Sequence, residues 1–213
     1  MNLTEMRALV RRDLHDEDDD SYRWTDDELD RHITRAVREF SGYIPYERRV
    51  TLSTTAGSRE MDISGVTDRI MVAAVEYPVD NFPRRYQPFS LWGDTLTVLG
   101  DEVPDGSDAY LYYGKLHTLE TGSSTVPDQY EDLIAVGAGG FAAMEWAVYA
   151  TNRVNVGGTV TPGEFLTWGN QKLRHFRNEL KRLGRRNRVR IGSLYTPYYP
   201  AVSQSTDYGP RER

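Results

Sequence analysis

The side chains that could carry out chemistry are scattered along the chain without a catalytic spacing. Four histidines are present, at His15, His32, His117 and His175. None of them pairs at the H-x-x-x-H or H-x-H spacing that a zinc site on one helix or strand would need. The chain has no Cys and no G-x-S-x-G motif, so it offers neither a thiolate nor a serine nucleophile elbow. The sequence therefore predicts no enzyme, no bound metal and no cofactor.

Two clusters of carboxylates each have a simpler structural interpretation. The run Asp16–Asp20 lacks the D-x-D-x-D-G spacing and the terminal Glu of an EF-hand, so a solvated loop is expected. Asp26 and Asp27 could take part in acid–base chemistry, but they lie in the first turn of a predicted helix. Negative charge there stabilises the helix dipole. Neither cluster is predicted to be a catalytic site.

A glycine cluster interrupts the most apolar predicted helix, which begins at Pro127. Gly137, Gly139 and Gly140 do not form a phosphate loop, because no Lys-Ser/Thr follows and the surrounding pattern is helical. Each glycine inside a helix costs about 1 kcal/mol relative to Ala. Close approach of another backbone would explain that cost. The neighbour is either the predicted Leu166–Leu183 helix of the same subunit or a helix of an adjacent subunit.

Basic residues crowd the segment Lys172–Arg190. Several recur at steps of three and four and so line one helical face, and others follow directly: Arg174, Arg177, Lys181, Arg185, Arg186 and Arg188. Such a face could bind nucleic-acid phosphates. It could also meet an acidic partner, including the Asp16–Asp20 run of a neighbouring copy in a ring. The net charge of −6 argues against indiscriminate polyanion binding, and we favour the acidic partner.

The elements around these residues predict an α+β fold for the 213-residue chain. Capping boxes at Asn2–Glu5 and Thr25–Glu28 start two N-terminal helices. Two longer helices are predicted toward the C-terminus, the last ending at Gly184. No apolar run approaches the ~20 residues of a membrane span.

The middle of the chain has the character of a small antiparallel sheet or sandwich. Alternating, β-branched segments predict strands at 49–54, 70–77, 89–92, 95–99 and 108–116. Gly93-Asp94 between two of them suits a tight hairpin turn. We therefore expect a helical domain from residues 1–45 and 120–184, and an inserted β domain at 46–119. Residues 185–213 are expected to form an extended arm, whose tyrosines either bind a partner or fold back on their own domain.

In this order of parts, the chain resembles the head-to-tail connector adaptor proteins of long-tailed, siphovirus-like bacteriophages. Thr25–Phe40 is similar to the early helix of that family, and Val126–Trp146 is similar to its core helix. Gly93–Val98 and Tyr112–His117 are similar to strands of the sheet inserted in some members. The smallest members are wholly helical, so the β insertion departs from them.

The resemblance implies a structural protein of the virion neck, assembled in the host cytoplasm. Such adaptors form a ring, generally of twelve subunits, that docks beneath the portal protein and presents a platform to a stopper or other tail-side neck protein. DNA passes through the ring without specific binding, and no membrane is involved. The C-terminal arm of the family reaches onto the portal. By position, the corresponding residues are Val189, Ile191, Leu194, Tyr195, Pro197, Tyr198, Tyr199 and Pro200.

Overall fold

The computed structural model describes residues 1–151 and 162–195 of the chain. Within them the fold is mixed α+β, which confirms the predicted class. The helices are α1 (Leu3–Leu14), α2 (Asp26–Ser41), α3 (Glu131–Thr151) and α4 (Pro162–Ser193), and a short 3₁₀ turn at Asp128–Tyr130 precedes α3. The strands are β1 (Tyr46–Ser53), β2 (Glu60–Asp62), β3 (Arg69–Glu76), β4 (Tyr86–Gln87), β5 (Phe89–Trp92), β6 (Thr95–Val98) and β7 (Asp108–Lys115).

The chain divides into two compact units. The first, here the helical unit, comprises Met1–Glu47 and Gly114–Asn187. The second, here the β unit, comprises Arg48–Tyr113 and the described residues from Arg188 onward. The β unit is thus an insertion within the chain of the helical unit.

Both predicted capping boxes form at the starts of α1 and α2. The Asn2 side chain accepts the Glu5 N–H at 3.0 Å, and the Glu5 carboxylate accepts the Asn2 N–H at 2.8 Å. Thr25 caps Glu28 in the same reciprocal way. The apolar residues of α2 that recur at helical spacing are all buried: Leu29, Ile33, Ala36, Val37 and Phe40.

Helix α3 is the central element of the helical unit. It packs against both α1 and α2, and it buries Ile134, Ala138 and Phe141 in their common core. By length and composition alone this helix could cross a membrane, since Asp128–Ala150 has a mean hydropathy of 1.4 over its most apolar window. The expectation that no apolar run is long enough was therefore wrong. However, 56% of that window is buried inside the protein, as is common for the core helix of a soluble domain.

The β unit contains two small sheets. One has the strand order β1-β7-β3-β4 and the other the order β2-β6-β5. The predicted hairpin is confirmed: Trp92 pairs with Thr95, and Gly93, at a φ of 58°, lies in the two-residue turn between them. The sheets enclose a core that includes Ile63, Val75 and Leu111. Strands β2 and β4 were not predicted, because runs of two or three residues are too short to show alternation.

Helix α4 continues well beyond the predicted end at Gly184. It runs without a break to Ser193, so the expectation of an extended arm from Arg185 was wrong for residues 185–193. Gly184 does not cap the helix. A Cβ at this position would lie 2.7 Å from Cδ1 of Tyr43, so the glycine makes room for that ring. Packing rather than helix termination therefore explains this glycine.

Candidate partner-binding surfaces

The glycines of α3 differ in what lies next to them. A Cβ on Gly137 would come within 2.9 Å of the Phe176 ring, and one on Gly140 within 2.9 Å of Leu173. Both contacts belong to α4 of the same chain, which settles the alternative that the sequence left open for these two positions. A Cβ on Gly139 would meet only Trp168, at an ordinary 3.8 Å. The cluster therefore serves close packing of α3 on α4, through two of its three members.

The basic residues of α4 lie opposite its buried seam. Leu173, Phe176, Leu180 and Leu183 are buried, whereas Leu166, expected in the same seam, is exposed. The six basic side chains predicted as a binding face are all exposed: Arg174, Arg177, Lys181, Arg185, Arg186 and Arg188. Because α4 remains helical past Gly184, the face extends to Arg188.

Only one of these six side chains has an ion-pair partner among the described residues. Nε of Arg177 lies 2.8 Å from the Glu39 carboxylate on α2, and this contact raises the pKa of Arg177. In the described part of the chain, the other five make no ion pair. Arg182, which was not singled out from the sequence, pairs with Glu179 at 2.6 Å. Five positive charges without an ion pair among the described residues therefore lie on the predicted face.

The acidic run between α1 and α2 is not uniform. Asp16 is buried and bonds to the buried Arg11 guanidinium at 2.7 Å. Its other oxygen accepts the Arg23 N–H at 2.7 Å, so Asp16 anchors the loop. The next four residues, Glu17 to Asp20, are exposed. The expected solvated loop thus holds for these four and is wrong for Asp16.

A groove of about 580 Å³ lies between α2, α3 and α4. Sequence reasoning missed it, because its lining comes from three separate helices. Its arginines are already engaged by neighbouring side chains: Arg31 bonds to Glu145, and the Arg35 guanidinium lies 4.0 Å from the centre of the Phe141 ring. His32 contacts Glu145 at 2.6 Å, yet burial dominates and lowers the pKa of His32. These pairings give the groove a structural explanation.

The residues assigned to the portal-docking arm fall into three settings. Val189 and Ile191 lie in α4, and Val189 is 74% exposed. Leu194 and Tyr195 form the turn after it. The Tyr195 hydroxyl donates to the Ala73 carbonyl at 3.2 Å, and its ring meets Tyr86 edge-on within the β unit. Pro197, Tyr198, Tyr199 and Pro200 lie outside the described residues.

The β unit exposes large aromatic side chains that the sequence analysis did not identify. Trp92, beside the hairpin turn, is 88% exposed, and Phe82 is 99% exposed. Leu91 next to Trp92 is also exposed. Aromatic residues are enriched in the centres of protein interfaces. The sequence does hold a signal for this surface, because a tryptophan directly before a two-residue turn has little room to be buried.

The described residues contain no group of three or more His, Asp or Glu side chains that could hold a metal ion. His117 is structural: its Nδ1 lies 2.7 Å from the Thr125 carbonyl oxygen, and its backbone N–H donates to Ser41. His32 pairs with Glu145 as described above. Both buried histidines therefore have packing and hydrogen-bonding contacts within the helical unit.

Comparison with protein families decides the class of protein. The family model of the SU10 adaptor protein matches residues 1–190, which include all or most of every described helix and strand. The chain belongs to the SU10 adaptor protein family. It is therefore a bacteriophage adaptor, a structural component of the virion at the head–tail junction that associates with other head and tail proteins. No curated protein matches the adaptor.

Proposed function

We propose that this adaptor forms a ring that docks beneath the portal protein, extends the DNA channel and presents a platform to a stopper or another tail-side neck protein. The observation that carries the proposal is the family match across both units, over residues 1–190. The resemblance stated above supports a ring of about twelve subunits in a long-tailed phage, assembled in the host cytoplasm. A non-enzymatic role agrees with membership of a structural family.

The two units suit different roles in such a ring. The helical unit has a continuous core built around α3, which suits a rigid ring-forming body. The β unit carries the exposed Trp92 and Phe82, which suit contact with another protein. We assign the ring to the helical unit and partner contact to the β unit.

Portal docking is tested by a chain that ends at Tyr195. This chain keeps every residue from 162 to 195 that the structure describes, but lacks Pro197, Tyr198, Tyr199 and Pro200. We expect it to remain folded and to lose most of its binding to the portal protein of the same phage, measured by co-sedimentation. The matched control is a chain that ends at Pro200, which keeps these four residues and should bind normally. Undiminished binding by the shortened chain would contradict the assignment of the arm.

A second candidate function is nucleic-acid binding through α4. The five basic side chains without ion pairs in the described residues favour it. Binding of this kind would weaken steeply as salt rises, because each phosphate contact releases a counterion. Absence of DNA retardation by the isolated protein at low salt would exclude it, and that is the result expected for a channel through which DNA slides.

A further inference from the structure

One face of α4 carries a line of cations that make no ion pair with the other described residues. Arg174, Lys181 and Arg185 are exposed on one side of the helix, and Arg186 and Arg188 extend the charge toward its end. We call these five residues the basic stripe. At 1.5 Å per residue, the stripe is about 21 Å long. Neighbouring cations at steps of three and four repel one another, so an anionic partner along the stripe would stabilise the helix.

The loop between α1 and α2 carries negative charges, and these also lack ion-pair partners among the described residues. Glu17, Asp18, Asp19 and Asp20, here the acidic loop, are exposed and make no ion pair with any other described residue. The loop is nevertheless ordered. The Ser21 hydroxyl donates to Asp18 at 2.6 Å, which lowers the pKa of that carboxyl and keeps it ionised. The buried Arg11–Asp16 pair holds the start of the loop. Little conformational entropy would therefore be lost if the loop bound a partner.

We propose that the acidic loop of one subunit binds the basic stripe of the next copy of the chain. The inference rests on the proposed ring and names the contact that closes it. Four ordered anions and five unpaired cations on one chain are complementary. Contact between different surfaces of successive copies is the heterologous arrangement that forms a ring.

A second copy explains these observations better than a nucleic acid does. DNA could occupy the basic stripe, but it would leave the acidic loop unexplained, and the chain as a whole carries a net charge of −6. An adjacent copy neutralises both surfaces at once. Since both are exposed, the pairing acts chiefly on the rate and specificity of association and is sensitive to salt.

The contact is tested by reversing two charges on each surface separately, which cancels all or most of the net charge of that surface. The first variant is Glu17→Lys with Asp20→Lys, which leaves Asp16 and Asp18, the residues that hold the loop, in place. The second is Lys181→Glu with Arg185→Glu, both on the exposed side of α4. Each variant alone should raise the concentration needed for assembly by about tenfold or more at low salt. The assay is particle mass, with and without portal protein. Unchanged thermal unfolding of each variant would exclude a folding defect.

Complementation makes the test specific to this pairing. An equimolar mixture of the two variants should assemble with the subunits alternating. The lysines of the first variant's loop then face the glutamates of the second variant's stripe, and the unaltered loop of the second variant faces the unaltered stripe of the first. A chain carrying all four substitutions should assemble by itself. If the wild type forms a ring and both single-surface variants form it equally well, the inference is wrong while the proposed function stands. If the wild type never forms a ring, even on the portal, the proposed function itself is wrong. Retardation of DNA that is lost only in the second variant would assign the stripe to nucleic acid instead.

Discussion

Gly137 and Gly140 allow α3 and α4 to lie closer together than side chains would permit. Their missing Cβ atoms leave the space that the Phe176 ring and Leu173 occupy. The sequence predicted that some backbone or side chain had to approach these glycines. It could not say which, since a helix of the same subunit and one of a neighbour leave the same pattern. Only the three-dimensional path of α4 decides between them.

Substitution of these glycines should lower stability even though alanine favours helices. Gly137→Ala and Gly140→Ala each gain about 1 kcal/mol of helix propensity but introduce overlap that costs about 1–3 kcal/mol. We expect a net loss, measured as the free energy of unfolding in urea. Gly139→Ala is the matched control, because its Cβ makes only an ordinary contact with Trp168. It should be neutral or stabilising. Equal effects at all three positions would contradict the assigned packing.

We expect the buried His117 to make the stability of the helical unit depend on pH. Its Nδ1 donates to the Thr125 carbonyl oxygen, so a second proton would have to bind the buried Nε2. Burial therefore lowers the pKa of His117 below its ordinary 6.5. As the pH falls below 6.5, the unfolded chain takes up a proton that the folded protein does not, and the free energy of unfolding decreases. This contribution is fully present above 6.5 and is lost as the pH falls toward the folded-state pKa.

The variant His117→Asn tests this coupling. Its side-chain amide can still donate to the Thr125 carbonyl but does not titrate. We expect a shallower fall of the free energy of unfolding below pH 6.5 than in the wild type. The free energy of unfolding of the variant should still fall to some extent below pH 6.5, because burial also lowers the pKa of His32. Superimposable pH profiles for the two proteins would show that His117 does not contribute.

At the level of elements, the helices and strands with clear periodicity were predictable and the end of α4 was not. The capping boxes at Asn2 and Thr25 predict the starts of α1 and α2, and both form in the structure. Gly184 gave a misleading one, because a glycine that accommodates Tyr43 looks the same in sequence as one that ends a helix. Loss of apolar periodicity after Arg185 was equally misleading. There α4 is mostly exposed, and an exposed helix needs no apolar stripe.

The β5–β6 hairpin offers a test of whether exposed aromatics serve binding. Trp92 is 88% exposed, so Trp92→Ala should change the free energy of unfolding by less than about 0.5 kcal/mol. Trp24 is 3% exposed, and Trp24→Ala should cost about 3–5 kcal/mol. If the β unit contacts the tail-side protein, Trp92→Ala should weaken that association at unchanged stability, measured by titration calorimetry. An unaltered affinity would show that Trp92 does not contribute to that interface.

At the scale of the whole molecule, the chain is an adaptor whose surfaces are better suited to partners than to substrates. The order of its parts suggested the family, and the match over residues 1–190 shows it. The charges that we assign to the ring contact could be read from the sequence as two clusters. Their exposure and their lack of ion pairs within the described residues could not. Those properties depend on which side of α4 packs against the core.

The proposed ring is tested most directly by the mass of the adaptor bound to its portal. Purified adaptor and portal protein from the same phage are mixed, and the complex is weighed by native mass spectrometry. Our account predicts a single complex containing a closed ring of adaptor subunits, about twelve for each portal, that dissociates as salt is raised. Adaptor that stays monomeric in the presence of portal, or binds it in variable numbers, would contradict the account.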